Sequence, residues 1–219
     1  MVTEPESPLS RSALLAGSSG LIGRALLPLL LASPRYAQVH ALLRRPVPEL
    51  RADRKLQLQV VDFQALPDLP QVDDVFIALG TTIKVAGSRS AFRQVDFDAV
   101  LNTARAARTA GATRLAVVSA LGADARSRVF YNRVKGEMQD AVAALGFGSV
   151  VIVQPSFLLG DRSALGQPVR AGEVWAGRLM GWLPKSVRPI AATQVADAML
   201  RALVSPPPGV QLLRSGELY

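Results

Sequence analysis

Short apolar runs alternate along the chain with longer stretches whose apolar positions recur every three or four residues. That alternation is the mark of repeated β-α units, which lay parallel strands side by side under helices. The spacing predicts strands over Ser12–Ala16, Gln38–Leu43, Leu56–Val61, Val75–Ala78, Arg114–Ser119 and Val150–Gln154. It predicts helices over Leu21–Leu31, Ala99–Ala110 and Tyr131–Ala144, the second closed by Gly111, a residue suited to the left-handed end of a helix. Further on, a helix over Thr193–Leu203 is stopped by Pro206–Pro208, and Val210–Leu213 is a short strand candidate. The segment 1–11, acidic and Pro/Ser-containing, reads as a flexible tail. Residues 12–219 read as one domain, with a smaller portion from about 156 onward that shapes a substrate pocket.

Composition changes this picture mainly by exclusion. At 219 residues, 49% of them apolar and 19% charged, the chain suits one α/β domain with a fully covered sheet. Its longest early apolar run, Leu26–Ala32, is broken by Pro28 and falls well short of the ~20 residues of a membrane span. With no cysteine and one histidine, disulfides, thiolate metal sites and His-rich metal sites are ruled out, and a cytoplasmic location is expected. The formal charge of +8 raises a nucleic-acid partner. Only Lys55, Lys84, Lys135 and Lys185 are lysines, and the arginines are scattered from Arg11 to Arg214 without an aromatic-interleaved cluster. Nucleic acid is therefore not the expected partner, and the oligomeric state is left open.

The first strand runs into Gly17-Ser18-Ser19-Gly20-Leu21-Ile22-Gly23 and then a helix. A G-x-x-G-x-x-G loop in that setting is a phosphate cradle: glycines let backbone approach a pyrophosphate and pack helix on strand, while the helix N-terminus offers free N–H groups. The fold expected is thus a three-layer α/β Rossmann fold around a doubly wound parallel sheet of about six to seven strands. Strand 2 ends in Leu43-Arg44-Arg45, where an NAD-selective site would place an acid for the ribose 2′-hydroxyl. Two guanidiniums can instead grip a 2′-phosphate, so NADP(H) is the preferred cofactor and NAD(H) the lesser alternative. Surface arginines unconnected with a cofactor are the competing reading. His40, inside strand 2, is expected to be structural.

Tyr131 and Lys135 lie four apart at a helix start, which puts both on one helix face. An ammonium ~5 Å from a phenol oxygen stabilises charge there by roughly 3 kcal/mol at an effective dielectric of ~20. Such a tyrosine can serve as general acid when a carbonyl is reduced and as general base in reverse.

With the glycine loop, this Y-x-x-x-K resembles the extended and atypical short-chain dehydrogenase/reductase superfamily. The resemblance implies that Ser119, at the end of Val117-Val118-Ser119-Ala120, polarises the substrate oxygen, although related strands often end in two serines and the second position here is Ala120. It implies that Asp62-Phe63 meet the adenine end, the alternative being a solvated aspartate opening a loop. It places Leu79-Gly80-Thr81 along the cofactor, and Pro155-Ser156, in a segment similar to R-P-x-x-x-x-G with Gln154 for arginine, beside the nicotinamide. Lys135 is given a second role at the nicotinamide ribose. Asn102 lies in the helix where the superfamily carries an asparagine, with its register open. The stretches Leu79–Gly87, Val95-Asp96-Phe97-Asp98 and Gly122-Ala123-Asp124 look like the Tat-interacting-protein branch of atypical members.

The activity implied is NADP(H)-dependent reduction of a small carbonyl compound or oxidation of an alcohol. Two alternatives stand: an NADP(H)-binding sensor or interaction protein without turnover, which fold alone does not exclude, and an epimerase-like enzyme. The substrate pocket is expected from Ala171 to Pro189, where Trp175, Leu179, Met180 and Trp182 form either an apolar wall or core.

Overall fold

A computed structural model describes residues 11–48, 50, 52–159, 184 and 187–218. Seven parallel strands form one sheet: β1 (Arg11–Ala16), β2 (Tyr36–Leu43), β3 (Leu56–Val60), β4 (Asp74–Ile77), β5 (Arg114–Val118), β6 (Ser149–Gln154) and β9 (Gly209–Arg214), in the order β3-β2-β1-β4-β5-β6-β9. β7 (Leu158–Leu159) and β8 (Ile190–Ala191) make a separate two-residue parallel pair. The helices are α1 (Leu21–Ala32), α2 (Ile83–Ala86), α3 (Arg89–Arg93), α4 (Ala99–Thr109), α5 (Phe130–Ala143) and α6 (Ala192–Ala202), with a π turn at Gln94–Asp98 joining α3 to α4.

Alternation along the strands builds three layers. On one face Ala13, Leu15, Phe76, Ala116, Val118, Val151 and Val153 bury themselves under Leu26, Leu30, Val195 and Met199 of α1 and α6. On the other, Leu14, Ala16, Val75, Ile77, Leu115, Val117, Val150 and Ile152 lie under Val100, Ala104, Met138 and Val142 of α4 and α5. Every residue of β4 and β6 is buried, as expected where both faces are covered. The order reverses at β1, which pairs with β2 on one side and β4 on the other, so the loops after β1 and β4 diverge and leave a crevice at the strands' carboxyl ends.

Opposite that end, Asp74 is fully buried and takes ion pairs from Arg11 (3.1 Å), Arg35 (3.5 Å) and Arg114 (2.6 Å), while the Tyr36 hydroxyl donates to it at 2.8 Å. Burial, with the Asp74 charge adding, pushes the Tyr36 hydroxyl well above its ordinary value and keeps it a donor. Three of the scattered arginines thus hold the base of the sheet together. Arg11, read from sequence as the end of a tail, is the first residue of β1; residues 1–10 lie outside the described ones.

The seven strands of the sheet and the long helices fall within one or two residues of the sequence expectation, which did not include β7 or β8. α2, α3 and the π turn were not expected, because residues 83–98 carry a mixed polar pattern and the helix reads as starting only at Ala99. In fact Ser88 caps α3, its hydroxyl accepting from the Ala91 N–H at 3.0 Å, and the chain is helical almost without break from Arg89 to Thr109.

Candidate functional site

The crevice opens into a cavity of about 580 Å³. Gly20, Leu21 and Ile22 line it from the β1-α1 loop, Leu79, Gly80 and Thr81 from the loop after β4, Ser119 from the end of β5, Tyr131 and Lys135 from α5, and Pro155 and Ser156 from the end of β6. Four strand ends and one helix face therefore converge on one space.

The glycine loop explains its own composition. Gly17 has φ +95°, and a Cβ there would stand 2.6 Å from the Ala78 carbonyl carbon; a Cβ on Gly23 would meet the Gly17 carbonyl oxygen at 2.0 Å. The first glycine permits the turn against β4, and the third lets α1 start against it. Gly20 caps α1 with no side-chain hydrogen bond, so the first-turn N–H groups of a twelve-residue helix face the cavity without a side-chain acceptor. A backbone cradle of this kind, at the positive end of a helix dipole, fits a pyrophosphate. Ser18 is fully buried, and its hydroxyl has no partner among the described residues. Ser19 is exposed, with its carbonyl accepting from Arg24 Nε at 3.1 Å.

Gly17, Ser18, Ser19 and Gly23 stand behind the cavity lining. Arg44 and Arg45 are exposed just past β2, with no ion pair among the described residues. Asp62 is exposed, and its carboxylate accepts from the Gln64 N–H at 2.9 Å. Phe63 is buried in the core beneath α4. Asn102 resolves its own register: its side-chain amide donates to the Phe63 carbonyl at 3.0 Å.

The residue that does meet Lys135 is Asp96, in the π turn. Lys135 Nζ lies 2.7 Å from Asp96 Oδ1, with both side chains almost wholly buried, and Asp96 Oδ2 accepts from the Thr81 N–H at 2.8 Å. Burial by itself would pull the Lys135 ammonium down, but the Asp96 carboxylate, helped by Tyr131, outweighs it and the net shift is upward. The Lys135 ammonium is thus shared with a buried carboxylate and is not an isolated charge on its helix face. Asp96 appeared in sequence only within a resemblance to related chains. Its role was hidden because a π turn shifts helical phase, and spacing rules cannot register a residue across it.

Tyr131 packs on Phe92 of α3 with ring centroids 5.3 Å apart. Its helix is seated by Gly136, where a Cβ would stand 2.1 Å from the Ala125 nitrogen. Ser156 lines the cavity while its hydroxyl donates to the Arg188 carbonyl and accepts from Ser215. His40 is half-buried in β2, and burial lowers its basicity, consistent with a structural place. Trp175, Leu179, Met180 and Trp182 lie outside the described residues, as does Gly160. Among the described residues, no group of acidic or histidine side chains could hold a metal, and no helix is long and apolar enough to cross a membrane.

Residues 17–206 match the pattern of a family described as NAD(P)H-binding. The chain is 35% identical over 208 residues to Protein HTATIP2 of Rattus norvegicus, covering 91% of this chain and 84% of that one. It is 32% identical over 215 residues to Protein FMP52 of Eremothecium gossypii, which is called mitochondrial, covering 94% and 95%. Among solved structures it is similar to MoeE5 in complex with UDP-glucuronic acid and NAD, with a TM-score of 0.70 at 19% identity over 92% of this chain and 75% of that one.

Proposed function

The chain belongs to the NAD(P)H-binding family, among the atypical and extended short-chain dehydrogenases/reductases, and on that premise we propose that it is an NADP(H)-dependent oxidoreductase that reduces a small carbonyl compound or oxidises the corresponding alcohol. The observation that carries this reading is the meeting of Tyr131, Lys135 and Ser119 in the cavity that the uncapped start of α1 also lines. When bound, a nicotinamide cofactor supplies or accepts the hydride.

The residues of the chain do the rest. Backbone N–H groups at Leu21 and Ile22, beyond the Gly20 N–H that donates to the Gly17 carbonyl, hold the pyrophosphate, and Leu79, Gly80 and Thr81 run beside the cofactor. Arg44 and Arg45 grip the 2′-phosphate, with Asp62 and Phe63 at the adenine end. Pro155 and Ser156 border the nicotinamide end. Tyr131 gives its phenolic proton to the substrate oxygen in reduction and takes it back in oxidation, while Ser119 donates a hydrogen bond to that oxygen. Lys135, held by Asp96, fixes the nicotinamide ribose and tempers the charge left on Tyr131. Residues 12–219 act as one domain, whose portion beyond about 156 shapes the substrate end. The cytoplasmic location expected from the sequence belongs to this reading, against the mitochondrial label of the fungal relatives, and fractionation of the expressed full chain tests it.

Tyr131→Phe tests the function. The variant should keep its affinity for NADPH in calorimetry and lose roughly 10²-fold or more in turnover of a carbonyl substrate found by screening aldehydes and ketones. Unchanged turnover in the variant overturns the role of Tyr131. Tight NADPH binding without turnover of any carbonyl or alcohol by the unaltered protein would favour the sensor instead.

A further inference from the structure

Ser119 heads a buried chain of three polar side chains. Gln139, one turn beyond Lys135 on α5, donates its Nε2–H to Ser119 Oγ at 2.6 Å. Gln154, the last residue of β6, donates in turn to Gln139 Oε1 at 3.3 Å. All three are more than nine-tenths buried, where an unmade hydrogen bond is costly and the direction of each bond matters.

The two ends of a carboxamide are chemically distinct, since the NH₂ only donates and the carbonyl only accepts. Because Gln154 donates to the Gln139 carbonyl, the Gln139 NH₂ is the end turned towards Ser119. Ser119 receives that bond on a lone pair and so keeps its own proton. Among the described residues nothing accepts that proton, and Ser119 lines the cavity. With the Gln139 amide reversed, Ser119 would donate inward and turn only lone pairs towards a substrate oxygen.

We propose that Gln139 and Gln154 are positioning residues that set the polarity of Ser119, making it a hydrogen-bond donor to the oxygen of the bound carbonyl or alcohol. The inference rests on the oxidoreductase reading of the cavity for its substrate, and on the amide chain alone for its polarity. It gives the two glutamines, neither of which faces the reacting atoms, a function in the reaction.

Two measurements test it. In the unaltered, isotope-labelled protein, the side-chain NH₂ resonances of Gln139, identified by their loss in Gln139→Glu, should show nuclear Overhauser contacts to the Ser119 β-protons. Contacts from that NH₂ to the Gln154 side chain instead would mean the amide is reversed and would overturn the proposal, whatever the activity. The second measurement is the pH profile of Gln139→Glu. The introduced carboxylate, when ionised, accepts only and draws the Ser119 proton inward; when protonated, it donates to Ser119 as the amide did. At neutral pH kcat/KM should fall by at least about tenfold, towards the loss seen on removing an oxyanion donor, and should recover as pH is lowered, with NADPH affinity within about twofold of the unaltered protein. A variant with unchanged kcat/KM and pH profile overturns the proposal. The nuclear Overhauser measurement needs no turnover, so a failure of the oxidoreductase reading, seen as no turnover in the unaltered protein, stays distinct from a failure of the polarity argument.

Discussion

Asp96→Asn removes one charge from a buried pair while leaving an acceptor for the Thr81 N–H, so it isolates what the carboxylate does for Lys135. In the native chain the two charged atoms stand 2.7 Å apart, with the lysine side chain 4% and the aspartate side chain 1% exposed. Solvent does little to screen such a pair, and an asparagine would leave the ammonium buried without a counter-charge. Breaking a buried pair from one side costs about 3–5 kcal/mol. At roughly 2–4 °C per kcal/mol for a chain of this size, Tm should drop by about 6–20 °C in scanning calorimetry. The sign with pH follows from the direction of the shift. Lys135 is raised in the folded protein, so its contribution is complete below the ordinary lysine value of 10.5 and is lost as pH rises through the folded value. In Asp96→Asn the carboxylate's upward pull is gone and burial, the largest influence, draws the lysine down against what Tyr131 still contributes, so the variant gains relative stability as pH rises and the gap to the native protein narrows. Adding Lys135→Met should restore much of the loss, because no unpaired charge then remains, giving a coupling of about 2 kcal/mol or more in the double-mutant cycle. A Tm loss worth less than about 1 kcal/mol, or strictly additive single changes, would refute the argument.

Arg44→Ala with Arg45→Ala should erase most of an NADPH preference over NADH of at least about tenfold, ~1.4 kcal/mol, measured by titration calorimetry; equal affinities in the unaltered protein would sink the 2′-phosphate assignment. Gly136→Ala forces a Cβ to 2.1 Å from the Ala125 nitrogen and 2.2 Å from the Asp124 carbonyl carbon, so it should cost at least about 3 kcal/mol in urea unfolding, and a near-neutral result would mean α5 is not seated as described. His40 has its basicity lowered by burial below the ordinary value of 6.5, so the unfolded chain takes the proton first and stability present above that value falls away as pH drops through it. His40→Gln should flatten that part of the profile in denaturant titrations between about pH 7.5 and 5, and an unchanged slope would remove His40 from the account.

What the sequence determined by itself was most of what near neighbours along the chain govern, the short helices between Ile83 and Arg93 and the π turn after them excepted. Alternating and three-four spaced apolar residues mark strands and helices because period alone decides which face is buried. The glycine spacing marks the phosphate loop because the φ +95° of Gly17 and the contact at Gly23 are demands a short segment makes of its own residues. Tyr131 and Lys135 were legible as a pair because four residues is one turn of an unbroken helix. Tertiary structure alone decided the rest. Asp96 reaches Lys135 across 39 residues of chain, Gln154 of β6 reaches Gln139 on α5, and Asp74 draws in arginines from β1, β5 and the turn before β2. No period in the sequence records such meetings, because they are fixed by sheet order, by the phase shift of a π turn and by the need of every buried polar group for a partner.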